Sequence, residues 1–93
     1  MQEFNLAIGG KDSESAFQAW RKCYPKSFVV NKDGNQLKLH FADCSHFYGE
    51  DAGRKNTDSP KYCSVERPEI DSWAQAQGVS YGRCKDCERR GLL

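Results

Sequence analysis

Two pairs of metal-binding residue types stand at spacings that suit a single ion. Cys84 and Cys87 are separated by two residues, a spacing that lets both thiolates face one ion. His40 and Cys44 form a second pair, placed where a strand is expected to end. Three thiolates and one imidazole satisfy a tetrahedral zinc ion with no open position. The pattern therefore predicts a zinc site whose ligands are His40, Cys44, Cys84 and Cys87.

Other residues of the same types compete for a place in this site. Cys63 is the main competitor and can replace His40 as a ligand; otherwise it is a small buried apolar side chain. His46 is a further competitor, whereas Cys23 lies on the apolar stripe of a predicted helix and is assigned to the core. The chain has five cysteines, an odd number, so a complete set of intrachain disulfides is excluded. Clustered cysteines in a reducing compartment favour a metal.

The hydrophobic pattern predicts the elements that position these ligands. Alternation in residues 36–41, after the Asp33–Gly34 turn, predicts a hairpin over about residues 27–41. His40 then lies on the polar face of its second strand. Two amphipathic helices are also predicted, at about residues 13–24 and 67–77. We therefore expect an α+β fold, a small zinc-stapled domain with an antiparallel sheet, a central hairpin and two helices.

Two further segments complete the predicted organisation. Residues 3–8 alternate polar and apolar side chains, with Phe4, Leu6 and Ile8 on one face, which is typical of a short strand. Residues 49–60 have no apolar periodicity, so we expect a long polar loop there.

The charge balance limits how the chain can meet a nucleic acid. Lys and Arg number 14 against 13 Asp and Glu, a net charge of +1, which excludes binding by bulk charge alone. A local basic patch remains compatible, because residues 83–90 carry four positive and two negative charges. Arg21, Lys22 and Lys26 are expected on the exposed side of the first helix. The predicted nucleic-acid-binding residues are Arg54, Lys55, Arg83, Lys85, Arg89 and Arg90.

A longer pattern runs from His40-Phe-Ala-Asp-Cys44 through an amphipathic helix to Gly82-Arg83-Cys84-Lys85-Asp86-Cys87. It resembles the metal-binding module of the Ada DNA-repair proteins, and especially the short bacterial relatives of that module. The similarity covers residues 37–88. More loosely, the chain is similar to an uncharacterised bacterial zinc domain, through Trp20, Pro25 and Phe28-Val29-Val30-Asn31.

The resemblance implies a DNA-binding module that recognises modified or damaged DNA in a repair or restriction context. In Ada proteins a zinc-bound thiolate, the first ligand, accepts a methyl group from DNA. This chain has His40 at that place, and a zinc-bound imidazole cannot act as that acceptor, so we predict that the chain is not an enzyme. Cys44 would be the acceptor in a remote alternative. The main alternative is a zinc-stabilised protein-interaction module, with possible fusion to a nuclease or repair domain.

The length and the apolar content set the remaining expectations. Ninety-three residues predict a single domain over residues 1–93. No apolar run approaches the ~18 residues that a membrane helix needs. Residues 1–4 have neither a basic nor an apolar segment typical of a signal peptide. We therefore expect a cytoplasmic protein with reduced thiols.

Overall fold

The computed structural model describes residues 1–48 and 56–93, and within them it has an α+β fold. The strands are β1 (Gln2–Phe4), β2 (Phe28–Asp33), β3 (Gln36–Phe41), β4 (Lys61–Ser64) and β5 (Ser80–Arg83). The helices are α1 (Leu6–Gly9), α2 (Asp12–Cys23), α3 (Arg67–Ala76) and α4 (Lys85–Arg89). Short 3-10 turns cover Ser45–Phe47 and Asn56–Asp58.

The strands form one mixed sheet in the order β1-β4-β2-β3-β5. The predicted hairpin is confirmed as β2 and β3, and Gly34 in its turn has a φ of 59°, a conformation that glycine adopts without strain. The three pairs among β1, β4, β2 and β3 are antiparallel. By contrast, β5 lies parallel to β3, with Leu39 opposite Arg83, which adds a parallel ladder to a sheet expected to be antiparallel. This ladder brings the chain back beside His40.

The sheet separates two clusters of buried side chains. Neighbouring residues of a strand point to opposite faces, so Val29 and Val30 of β2 belong to different clusters. Val30 packs with Leu37, Leu39, Ile70 and Ala74, and so α3 covers this face. The members of the other cluster lie on the α2 side of the sheet: Phe17, Val29, Ala42, Cys44, Phe47, Cys63, Cys84 and Cys87.

The two long helices are confirmed, but the N-terminal strand is shorter than predicted. Asn5 is the cap of α1, and its side chain accepts a hydrogen bond from the Ala7 N–H at 3.0 Å. The strand therefore ends at Phe4, and Ile8, expected to share a strand face with Phe4 and Leu6, lies instead in α1 and is exposed. A capping residue at position 5 thus outweighs the apolar alternation of residues 3–8.

Two assignments on the first helix are wrong. Cys23, expected in the core, is exposed at the end of α2. Arg21, expected on the exposed side, is buried. Arg21 follows Phe17 by four residues, so both side chains lie on the same face of α2, and that face packs on the sheet.

Other expectations concern the polar loop and the membrane. Residues 49–55 of the predicted loop lie outside the described residues, and Asn56–Asp58 forms a turn in which Thr57 is buried. Among the described helices, none has the length and apolar character to span a membrane.

Candidate metal centre

Four donor side chains meet at the end of β3, in what we call the inner group: His40, Cys44, Cys84 and Cys87. His40 belongs to β3, and Cys44 lies in the turn after it. Cys84 separates β5 from α4, and Cys87 lies within α4. One ligand atom of each residue lies within 4.8 Å of the others, and all four residues are buried. The four predicted ligands are therefore brought together in a geometry that can hold a metal ion.

The parallel β5 strand places the C-terminal pair beside the N-terminal pair. The Cys84 N–H donates to the Leu39 carbonyl at 2.7 Å, so β3 fixes the backbone of Cys84 one residue from His40. Helix α4 begins immediately afterwards, and its first turn places Cys87 next to β3. The Phe41 N–H then donates to the Cys87 sulfur at 3.4 Å. Such a backbone donor stabilises a thiolate.

His40 is a buried imidazole with an unsatisfied nitrogen. Its Nδ1 is buried and has no hydrogen-bond partner among the described residues. The residue as a whole is only 5% exposed, so water does not readily replace that partner. Burial, with smaller contributions from His46, Lys38 and Lys61, lowers the pKa of His40 to about 3. The ring is therefore neutral at physiological pH and has a free lone pair, which is the form that binds a metal.

Two thiols of the inner group, those of Cys44 and Cys87, are protonated when no cation is near. Burial raises the pKa of Cys44 to about 12, and burial also raises the pKa of Cys87. A bound divalent cation reverses this preference, because its charge stabilises thiolates directly. Three sulfurs and one neutral imidazole fit a tetrahedral ion, so the residues present suit the metal that the spacing predicts.

Arg21 supports the turn that carries Cys44. Its guanidinium donates to the carbonyl oxygens of Ala42 at 2.7 Å, Phe47 at 3.3 Å and Cys44 at 3.4 Å. It also lies 5.2 Å from the centre of the Phe47 ring. Sequence reasoning missed this residue, although its spacing of four from Phe17 is a signal that could have found it.

The two competing ligands have different surroundings. Cys63 lies on β4 opposite Val29, where burial raises its pKa, and it is not part of the inner group. His46 is exposed and stands at the edge of that group. Its Nδ1 lies 3.8 Å from the Cys84 sulfur, and its Nε2 lies 2.9 Å from a carboxylate oxygen of Asp86. We call His46, Cys84 and Asp86 the outer group; their ligand atoms also lie within 4.8 Å of one another.

The predicted nucleic-acid-binding residues do not all share one face. Lys85, Arg89 and Arg90 are exposed on or just after α4, beside the inner group. Arg89 pairs with Asp86 at 3.1 Å, and Arg90 donates to the Asp43 carbonyl at 3.4 Å. Arg83 stands opposite Leu39 in the parallel ladder, so it points to the α3 side of the sheet. The remaining two, Arg54 and Lys55, lie outside the described residues.

No family model, curated protein or solved structure matches this chain. The similarity to the Ada metal-binding module therefore stays a prediction from the residues. The inner group is an observation of the structure and does not depend on that similarity.

Proposed function

We propose that this chain is a non-catalytic module whose fold is completed by one zinc ion. The observation that carries the proposal is the inner group of four buried donors, in which the buried Nδ1 of His40 has no partner among the described residues. A buried polar atom without a partner is unfavourable. A metal ion at this place would bind one ring nitrogen of His40 and the three sulfurs together.

The donor set favours zinc and a structural role. Thiolate and imidazole ligands suit zinc better than magnesium or calcium, which prefer oxygen. Four protein ligands fill a tetrahedral sphere, whereas a catalytic zinc keeps a position for water or substrate. The expected role of the ion is therefore to join the turn after β3 to α4.

Metal content and thermal stability test this proposal directly. Protein purified under reducing conditions should bind one zinc per chain, and a chelator should lower its melting temperature. Cys44→Ala should abolish tight binding because it removes one of the four ligands. Cys63→Ala is the matched control: it removes another buried thiol that lies outside the inner group, so its zinc content should not change.

Two outcomes would contradict the structural zinc ion. One is a reduced wild-type chain that binds no zinc at micromolar concentration. The other is a Cys44→Ala variant that keeps one tightly bound zinc and the wild-type melting temperature. Loss of zinc from Cys63→Ala alone would move the ligand assignment from the inner group to Cys63.

Nucleic-acid binding is a second candidate function, favoured by the position of the basic residues on α4. Lys85, Arg89 and Arg90 are exposed next to the inner group. The zinc ion would hold this short helix in place, so that these cations can contact the phosphates of DNA. The resemblance to the Ada module supports the same partner. Arg54 and Lys55 belong to this candidate only as predictions from the sequence.

Fluorescence anisotropy with short DNA duplexes across a salt series tests this second function. Binding should weaken steeply with salt, and Lys85→Ala should reduce the salt slope by about one. Lys22→Ala, an exposed cation on α2, is the control and should leave the slope unchanged. Absence of binding to duplex or single strand at low salt would overturn nucleic-acid binding and leave the protein-interaction module as the alternative to examine.

A further inference from the structure

The inner group is closed to solvent, so an ion needs a route to reach it. Cys44, Cys84 and Cys87 are at most 2% exposed, and His40 is 5% exposed. The ring of Phe47 covers His40, with their centroids 4.9 Å apart. A site that holds a metal must also have a path by which the metal arrives.

The outer group begins at the surface and ends inside the inner group. The side chains of His46 and Asp86 are 53% and 46% exposed, whereas Cys84 is buried and belongs to both groups. The rings of His46 and His40 have centroids 5.9 Å apart, so an exposed imidazole stands beside the buried one. The donors thus run without interruption from solvent to the buried site.

The side chains of the outer group are suited to binding a zinc ion transiently. Imidazole, thiolate and carboxylate are all zinc ligands, but three protein donors leave a position for water. Asp86 is held in place by Arg89, which contacts its other carboxylate oxygen at 3.1 Å. We therefore expect the outer group to bind zinc more weakly than the inner group and to be more accessible to ions from solvent.

We propose that the outer group is the transfer position through which zinc reaches and leaves the inner group. This inference rests on the proposed zinc site. The ion first binds His46, Asp86 and Cys84 with water completing its sphere. Cys84 then stays bound while His40, Cys44 and Cys87 replace His46, Asp86 and the water. The ion keeps its charge throughout, and the thiol protons pass to the buffer.

The test is the rate at which zinc leaves and enters the protein at one fixed pH. Zinc release to an excess of chelator and zinc uptake by the reduced metal-free chain are followed by stopped flow. His46→Ala and Asp86→Asn should slow both rates by the same factor, about tenfold, because they remove the transfer position but no inner ligand. The dissociation constant, which is the ratio of the two rates, should stay unchanged.

Glu88→Gln is the matched control for Asp86→Asn. Glu88 is also an acidic residue in the first turn of α4, and it belongs to neither group of donors. Its substitution changes the charge of the helix equally and should leave both rates as in the wild type. Circular dichroism of the three zinc-loaded variants checks that the fold is kept.

Three outcomes would overturn the transfer position. Unchanged rates in both His46→Ala and Asp86→Asn would mean that zinc uses another path. Faster release with unchanged uptake, and therefore weaker affinity, would mean that His46 only stabilises the bound Cys84 thiolate. Equal slowing in Glu88→Gln would mean that helix charge controls the rates. A wild-type chain that takes up no zinc would instead overturn the zinc site itself.

Discussion

Arg21 supports the turn after β3, since three carbonyl oxygens of that turn accept hydrogen bonds from it. Arg21→Met keeps much of the apolar volume but removes the 2.7 Å donor of the Ala42 carbonyl, whereas the Phe47 and Cys44 carbonyls keep other donors. We expect the free energy of unfolding to fall by about 1–3 kcal/mol. Urea denaturation of the zinc-loaded protein measures this change.

Lys22→Met is the neighbouring control for Arg21. Lys22 is exposed on the same helix, so this change should cost no more than about 0.5 kcal/mol. Equal losses in the two variants would contradict a supporting role for Arg21.

The zinc affinity of the proposed site should depend on pH, because two of its thiols are protonated before the metal binds. The pKa of Cys44 is raised to about 12 and that of Cys87 is raised as well, so both thiols carry protons near neutral pH before the metal binds. His40, with its pKa lowered to about 3, has no proton to lose. Zinc must therefore displace at least the protons of Cys44 and Cys87, and its affinity should fall as pH falls. For two protons the loss is about 100-fold per pH unit.

Competition with a chromophoric chelator over about two pH units around neutrality gives this slope. Calorimetry in buffers of different ionisation enthalpy counts the released protons independently. An affinity that does not change over this window would show that the thiols are not the ligands.

At the scale of elements, α4 and the turn after β3 should depend on the metal more than the rest of the sheet. Helix α4 has five residues, too few for a helix to be stable alone. Strands β2, β3 and β4 are held by extended antiparallel ladders. Chelation should therefore increase hydrogen exchange most in residues 42–48 and 84–90, and least in β2. Uniform exchange along the whole chain after chelation would contradict this order.

A hydrogen bond between Tyr81 and Asp71 connects the edge strand β5 to α3. The Tyr81 hydroxyl donates to an Asp71 oxygen at 2.5 Å, and Arg67 contacts the other oxygen at 2.8 Å. Tyr81→Phe should lower the free energy of unfolding by about 1–2 kcal/mol. Chemical denaturation measures this loss, and Tyr24→Phe, at an exposed tyrosine, should show almost none. A similar loss in both would argue against the connection.

The elements that the sequence predicted are those with local signals. The hairpin depends on the Asp33–Gly34 turn and on alternation next to it, and both long helices have apolar faces within one segment. Strand β5 has no such alternation, and its parallel partner β3 lies about forty residues earlier. Pairing between distant segments is decided by packing, which a local pattern does not contain.

The candidate metal ligands were predictable for a different reason. Cysteine and histidine at short spacings report the chemistry of a site even when the path of the chain between the pairs is unknown. Arg21 carries no such signature, because arginine on a helix is usually exposed. Its spacing of four from Phe17 places it on the buried face of α2, but the carbonyl oxygens that it contacts belong to a distant turn, which only the fold shows.

At the scale of the whole molecule, the two faces of the sheet have different kinds of core. The α3 side contains aliphatic side chains such as Leu39 and Ile70. On the α2 side, four of the eight buried cluster members are cysteines, which bury little apolar area. A metal ion held by the inner group, as proposed, would therefore add to the packing of the α2 side.

This difference predicts how the overall size responds to chelation. The described Cα atoms have a radius of gyration of 12.3 Å, close to the ~12 Å expected for a folded chain of this length. Removal of zinc should loosen the α2 side and leave the α3 side packed. Small-angle scattering should then give a modest increase, far below the ~30 Å of an unfolded chain. A fully unfolded value, or no increase at all, would contradict two separate cores.

The parallel pairing of β5 with β3 has a consequence for biosynthesis. His40 and Cys44 leave the ribosome about forty residues before Cys84 and Cys87. At bacterial and eukaryotic translation rates this interval lasts about 2–8 s. During that time the nascent chain presents only two of the four proposed ligands, and the Cys44 thiol is open to oxidants. If zinc binds as proposed, the order of translation would make its capture a late event, because β2 and β3 are synthesised before Cys84 and Cys87.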